Sequence, residues 1–385
     1  MAQLDAVMRV NASPRRRLVM SPAIVTWCLF LIFSPLYVVT SGLPQPGDAL
    51  VFLLVPLAIA AWDRKLDRVT NRTLKALLLF TAWVCVVDYG WALVLGKMTS
   101  PKDFIIHPIY YIFNVAVFFS ALIIARRDRA RFLKLTVDVV FATIVVQVVA
   151  SFFYRTQLYR GELFFNSPNQ LGYYALLAAC LFAFTQRPLR ISRVKAGLGV
   201  TGCAYLAMLS ASRASVAGIA VLLFVLLFSN PRTIILASLA AILLVTAGGP
   251  IAKAIDTAQT RATTVRNPKV SFAEERGYDR IYDYPEYLLT GAGEGDYARF
   301  AHEGEPAREL HSSFGSVLFG YGVIGVALFL LFFWRVIRGA SVRATLMLVP
   351  ALVYTVAHQG LRFTMFWVVL SAFVVLKQLP REGKP

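Results

Sequence analysis

Hydrophobic residues run along this chain in long blocks rather than in amphipathic stripes. Ile24 to Val39, Leu77 to Val87, Val139 to Phe153, Val216 to Phe228 and Phe314 to Trp334 are nearly free of charge. Apolar blocks of roughly 17–25 residues match the thickness of a bilayer core when helical. In lipid, each backbone polar group must be paired within its own segment, so helices are the default spanning element. The alternating ten-residue pattern of an outer-membrane barrel is absent. The pattern predicts an all-α, polytopic membrane protein with about 12 transmembrane helices, at 22–41, 48–62, 74–95, 105–125, 132–153, 170–185, 196–210, 214–229, 232–248, 312–334, 344–358 and 361–377.

Composition agrees with this reading. Hydrophobic residues make up 58% of the 385, charged residues only 16%, and mean hydropathy is +0.63. A soluble domain of this length needs far more polar surface. The net charge of +18 raises the question of nucleic acid, but most Lys and Arg fall in short loops on the side that carries Arg15, Arg16 and Arg17. The positive-inside rule then puts both termini in the cytoplasm. The charge faces anionic membrane lipids, and no nucleic-acid partner is needed to explain it. Cys28, Cys85, Cys180 and Cys203 all sit inside apolar blocks without a CxxC spacing, as small core residues do. The first apolar block is long and lacks a small-x-small cleavage site, so it reads as a retained helix.

One stretch stands apart. Residues 249–310 form a long polar loop between the ninth and tenth spans, on the outer side, and loops of this length are usually functional. It carries Tyr278, Ile281, Tyr282, Tyr284 and Tyr287, a cluster suited mainly to packing. Gly291-Ala292-Gly293-Glu294-Gly295 lacks the strand and βαβ unit of a nucleotide-binding loop and reads as a turn whose backbone approaches a ligand or the bundle. A second outer loop holds Arg155 and Arg160, and two tight outer turns hold Arg213 and Arg362.

Several arginines on one face suit a pyrophosphate, because a guanidinium fork takes phosphate oxygens two at a time. Snorkelling to headgroups is the competing account of Arg213. His311, at the start of the tenth span, is placed either as a helix-end contact or as a base for a sugar hydroxyl. The outer loops hold no HxxxH and the first of them, Gly42 to Gly47, has no carboxylate pair for a divalent ion, so metal-independent chemistry is expected. Asp88 and Asp138 lie within spans, as proton-path residues of a transporter or as partners in bundle hydrogen bonds.

Three ordered stretches resemble the O-antigen ligase family, with its related O-antigen and exopolysaccharide polymerases. The first runs from Arg160-Gly161 to Pro168-Asn169-Gln170-Leu171-Gly172; the second is Ser210-Ala211-Ser212-Arg213. The third is His311-Ser312, then nine residues, then Gly322-Val323-Ile324-Gly325, preceded upstream by Arg280 and Gly291-Ala292-Gly293. The resemblance covers roughly residues 150–335. It implies a GT-C-like membrane glycosyltransferase that moves a polyprenyl-pyrophosphate-linked glycan onto an acceptor hydroxyl at the periplasmic face. The acceptor would be lipid A–core for a ligase of lipopolysaccharide, or a second lipid-linked glycan for a polymerase. It further implies that His311 activates the acceptor, that Arg213 and Arg280 hold the diphosphate, and that Arg160 assists or positions its loop; Arg160 and Asn169 of the first stretch, with Arg155 and Arg362 on the same outer side, are the expected substrate-binding residues. Direct displacement would invert the anomeric centre with no cofactor. The rival reading is a secondary transporter or flippase of lipid-linked sugars, which should show an inverted repeat; none is visible.

Overall fold

A computed structural model describes residues 20–40, 42–63, 65–96, 104–153, 160–229, 276–301 and 309–380, with isolated positions between 232 and 273. Among these residues the chain is all-helical. In order the helices are α1 (Pro22–Phe33), α2 (Pro46–Ala60), α3 (Arg68–Val94), α4 (Ile106–Ala125), α5 (Arg129–Phe153), α6 (Pro168–Thr185), α7 (Arg193–Ser210) and α8 (Arg213–Ser229). They are followed by α9 (Asp279–Asp283), α10 (Ser313–Ile337), α11 (Val342–Leu346), α12 (Val349–Ala357) and α13 (Thr364–Leu376).

Helix starts carry local signals. Asp67 caps α3 by accepting from Thr70 N at 2.9 Å, and Ser312 caps α10 by accepting from Gly315 N at 3.1 Å. Proline occupies the first turn of α1, α2, α6 and α12, where its missing N–H leaves no extra unpaired donor. Helix α6 is the axis of the fold: every residue from Leu171 to Thr185 is buried, against α7, α8, α12 and α13. Among the described residues four helices, α3, α4, α5 and α10, are long and apolar enough to cross a membrane. Large apolar side chains such as Phe52, Val86, Phe153, Phe228 and Leu330 face outward, the surface a bilayer accepts and water does not.

Three expected spans differ from the structure; the eleventh, at 344–358, is two short helices, α11 and α12, parted at Met347 and Leu348, and the other two are the first and the tenth. The first, at 22–41, stops being helical at Phe33. Pro35 has no N–H to continue the helical ladder and its ring crowds the carbonyl four residues back, and the chain that follows is held by Gln45. There Gln45 Oε1 accepts from Val38 N and Val39 N, both at 3.0 Å. The tenth, at 312–334, is interrupted at Gly322, whose backbone (φ 67°, ψ −173°) is not helical. The ninth span, 232–248, lies almost entirely outside the described residues.

The interruption in α10 frees carbonyls that other parts of the chain satisfy. Ala292 N donates to Phe319 O at 2.9 Å and Gly293 N to Gly320 O at 2.8 Å. The Trp83 indole of α3 donates to Tyr321 O at 2.8 Å. A side chain at Gly291 (φ 97°) would collide with the Gly320 backbone, so glycine is needed where loop and helix touch. The Gly-Ala-Gly turn therefore approaches the bundle. Beside it Ala292, Phe300, Leu310 and Phe319 form a small second core, packed by Ile281, Tyr284 and Tyr287, which is the packing role expected of those tyrosines.

Candidate functional site

At one end of the bundle α1–α2, the starts of α4 and α6, α7–α8, the start of α10 and α12–α13 surround a cavity of about 1510 Å³. Arg160, Asn169, Arg213, His311 and Arg362 all line it. Its apolar wall includes Phe52, Ile105, Ile106, Ile109 and Phe113. Arg155 lies outside the described residues.

Arg160 ties two of the sequence stretches together. Its Nε donates to Ser210 O at 2.9 Å and its Nη2 to Asn169 Oδ1 at 2.8 Å. Gly161 N also donates to Leu209 O at 3.0 Å. The turn that follows α7 is made by Ala211 in left-handed backbone (φ 47°), which starts α8 at Arg213 on the cavity wall. Gly172 lets α6 approach this turn, since a Cβ there would meet the Ser210 and Ser215 hydroxyls.

His311 sits one residue before the cap of α10, exposed to the cavity. Its amide donates to Arg276 O at 3.0 Å, which fixes the end of the long loop against the helix start. Partial burial lowers the imidazole pKa below its usual value, and Arg276, Arg362 and Arg280 lower it further against the opposing pull of Glu309. The ring is thus biased toward the neutral form, which accepts a proton.

From Arg160 a continuous set of contacts runs along one side of the cavity. Tyr354 OH donates to Asn169 O at 3.1 Å. Its ring stacks on Tyr173 at 3.9 Å and on His358 at 4.8 Å. His358 Nδ1 lies 3.5 Å from Arg276 Nη1. Arg276, Tyr354, His358 and Gln359 line the cavity, and reasoning from sequence did not select them. The signal available was polar or aromatic residues at the outer ends of apolar spans.

Arg280 is placed differently from the expectation. It is 5% exposed and does not line the large cavity. Its guanidinium lies over the rings of Phe300 (5.6 Å) and Tyr297 (6.0 Å), beside a much smaller pocket with Glu294 and Glu309. The short helix α9 turns it under the loop, four residues after Arg276, and burial lowers its pKa.

Arg362 lines the cavity while pairing with both Glu294 and Glu309. Glu294 is 5% exposed and also accepts from Tyr111 OH at 3.1 Å. Burial pushes its pKa up, but Arg362, His107 and their neighbours outweigh this and hold the carboxyl below its ordinary value. Asp88 completes the network, accepting from Glu294 N at 2.7 Å and Tyr321 OH at 3.1 Å. Asp138 pairs with Lys195 at 2.7 Å. Both aspartates thus have partners within the bundle. No group of three or more His, Cys, Asp or Glu able to hold a metal occurs among the described residues.

Comparison with protein-family models and with curated proteins returns no match to this chain.

Proposed function

We propose that the chain is a membrane glycosyltransferase that moves a saccharide from a polyprenyl-pyrophosphate donor to an acceptor hydroxyl at the outer face of the bacterial inner membrane, as an O-antigen ligase or a polysaccharide polymerase. The observation that carries this reading is one cavity lined by His311, Arg160, Arg213 and Arg276, with an apolar wall alongside. His311, biased toward its neutral form, takes the proton of the acceptor hydroxyl as the new glycosidic bond forms. The arginines neutralise charge building on the departing diphosphate, and hydrogen bonds to an ionised group are the strong kind. The apolar wall accommodates the start of the lipid tail. Arg276 takes the place that the family resemblance gave to Arg280, and Arg160 positions Asn169 and the turn before Arg213. About 12 spans, with cytoplasmic termini and residues 249–310 outside, are part of the same proposal.

The test is the surface-glycan and lipid-linked-glycan profile of a strain lacking the gene. Long polymer stranded on the carrier with bare lipid A–core identifies a ligase; single repeats without long polymer identify a polymerase. An unchanged profile removes the glycosyltransferase reading and favours transport.

A further inference from the structure

Helices α3 and α10 pack antiparallel. The Phe80 and Phe329 rings meet at 5.3 Å, and the Trp83 indole donates to Tyr321 O at 2.8 Å. Running from those contacts toward the start of α3 and the end of α10, at about 1.5 Å per residue, brings Arg68 and Arg72 alongside Arg335 and Arg338. This is the end of the bundle opposite the cavity. Arg68, Arg72 and Arg338 are exposed and Arg335 is half-buried. Arg68, Arg335 and Arg338 each repel the charge of Arg72.

None of the four pairs with an acidic side chain among the described residues. The acidic residues nearest Arg68 in sequence are engaged elsewhere. Asp63 pairs with Arg126, and Asp67 caps α3 through Thr70 N while pairing with Arg129 at 3.5 Å. Nor do the helix ends need these cations. Arg68 and Arg72 stand in the first turns of α3, where the helix dipole disfavours positive charge. The last carbonyls of α10 are already served by Lys377, which donates to Val336 O at 2.8 Å and Arg338 O at 3.4 Å. Two helices that must pack thus bring four uncompensated cations together.

Beside the cluster the surface turns apolar. On α3 the exposed residues Arg68, Arg72 and Lys75 continue as Leu79, one helical face at spacings of three and four. On α10 the exposed Leu331 and Trp334 precede Arg335, and tryptophan favours the boundary between lipid and water. A free phosphate would use only the cations, whereas a phospholipid uses both parts. We propose that Arg68, Arg72, Arg335 and Arg338 bind the phosphate of an anionic phospholipid, whose acyl chains lie along Leu79, Leu331 and Trp334. Guanidinium forks take phosphate oxygens two at a time, and basic residues between helices at a membrane surface attract anionic headgroups. Under the topology proposed above, the lipid belongs to the cytoplasmic leaflet. Its phosphate relieves the repulsion between α3 and α10, the same pair whose packing supplies Trp83 to the break in α10. The site does not depend on the chemistry of the cavity.

The experiment measures, by native mass spectrometry of the delipidated full chain in detergent, the affinity of the first bound phosphatidylglycerol and of phosphatidylcholine with the same acyl chains. The parent protein should prefer phosphatidylglycerol by about ten-fold or more, the size expected of two or more arginines at an anionic headgroup. The double variant Arg72→Gln, Arg338→Gln should cut that preference to about three-fold or less. A control, Lys134→Gln with Arg193→Gln, removes the same charge from exposed positions at the same end and should keep the preference. No preference in the parent protein, or an unchanged one in the double arginine variant, would overturn the site. An equal loss in the control also sinks it, by showing only the general surface charge. Displacement of the lipid by glycerol 3-phosphate at equal concentration would replace the lipid with a free phosphate as occupant. A shared thermal transition shows that the variants are folded. If the double arginine variant lacks one, Arg72→Gln alone is judged instead, with a loss of about three-fold or more in the preference expected.

Discussion

The two ends of the bundle use cations in opposite ways. At the end away from the cavity, basic residues stitch helix termini together. Arg126 pairs with Asp63, Lys195 with Asp138, and Lys377 donates to the Val336 carbonyl at 2.8 Å, which also suits the negative end of α10. At the cavity end Arg160, Arg213 and Arg276 border a space large enough for a ligand. Arg362 on its wall pairs with Glu294 beneath it, whose backbone N–H donates to Asp88. Residue type alone therefore does not mark a site. Whether the charge is spent on a helix end, on a buried partner or on a cavity wall decides its role.

The sharpest break of this contrast is chemical. His311→Ala and Arg213→Ala should each lower glycan transfer by about 10³-fold, within the range of a general base or a charge-stabilising donor, while expression and insertion stay normal. Transfer at the parent rate in either variant would remove that residue from the mechanism. Next, Glu294→Ala should destabilise the protein by about 3 kcal/mol, because it leaves Arg362 short of a buried partner, read as a fall in the thermal midpoint in detergent. An unshifted midpoint would mean that the network carries no stability. Third, Arg276→Ala should reduce transfer by about ten-fold or more through the lost phosphate contact. Arg280→Leu should act mainly on the thermal midpoint, since its rings and burial remain the local environment; the reverse ranking would restore the family assignment of Arg280.

Smaller effects sharpen the picture. Because the His311 pKa is lowered, the base form persists as pH falls through the ordinary histidine value, and the acid limb of transfer should lie below 6.5. Glu309 pulls that pKa up, so Glu309→Gln should move the limb to lower pH still; an upward move contradicts the electrostatics. At the opposite end Arg126→Ala should leave the thermal midpoint close to that of the parent protein, as expected for an exposed pair.

Much of the architecture was legible because lipid demands long apolar helices and because Ser, Asp and Pro mark helix starts locally. The break in α10 was not, since it depends on partners remote in sequence, the Gly291–Gly293 turn and Trp83. The end of α1 was written locally in Pro35, but the apolar run that continues to Val39 hid it. Within the site, motif spacing identified Arg160, Asn169, Arg213 and His311 on one cavity. It did not distinguish Arg276 from Arg280, because four residues and one short helix turn separate an arginine at the cavity from one beneath the loop. Nor did it supply a partner for Asp88, which comes from the backbone of Glu294 some two hundred positions away.

The break at Gly322 also orders the birth of the molecule. A continuous helix is complete once it enters the bilayer, but α10 enters with carbonyls at Phe319, Gly320 and Tyr321 that its own turns do not satisfy. Two of these wait for the backbone of Ala292 and Gly293, which precede α10 on the growing chain, and the third waits for an indole on α3. The two halves of α10 therefore complete their hydrogen bonding only once the segment before the helix has docked onto it.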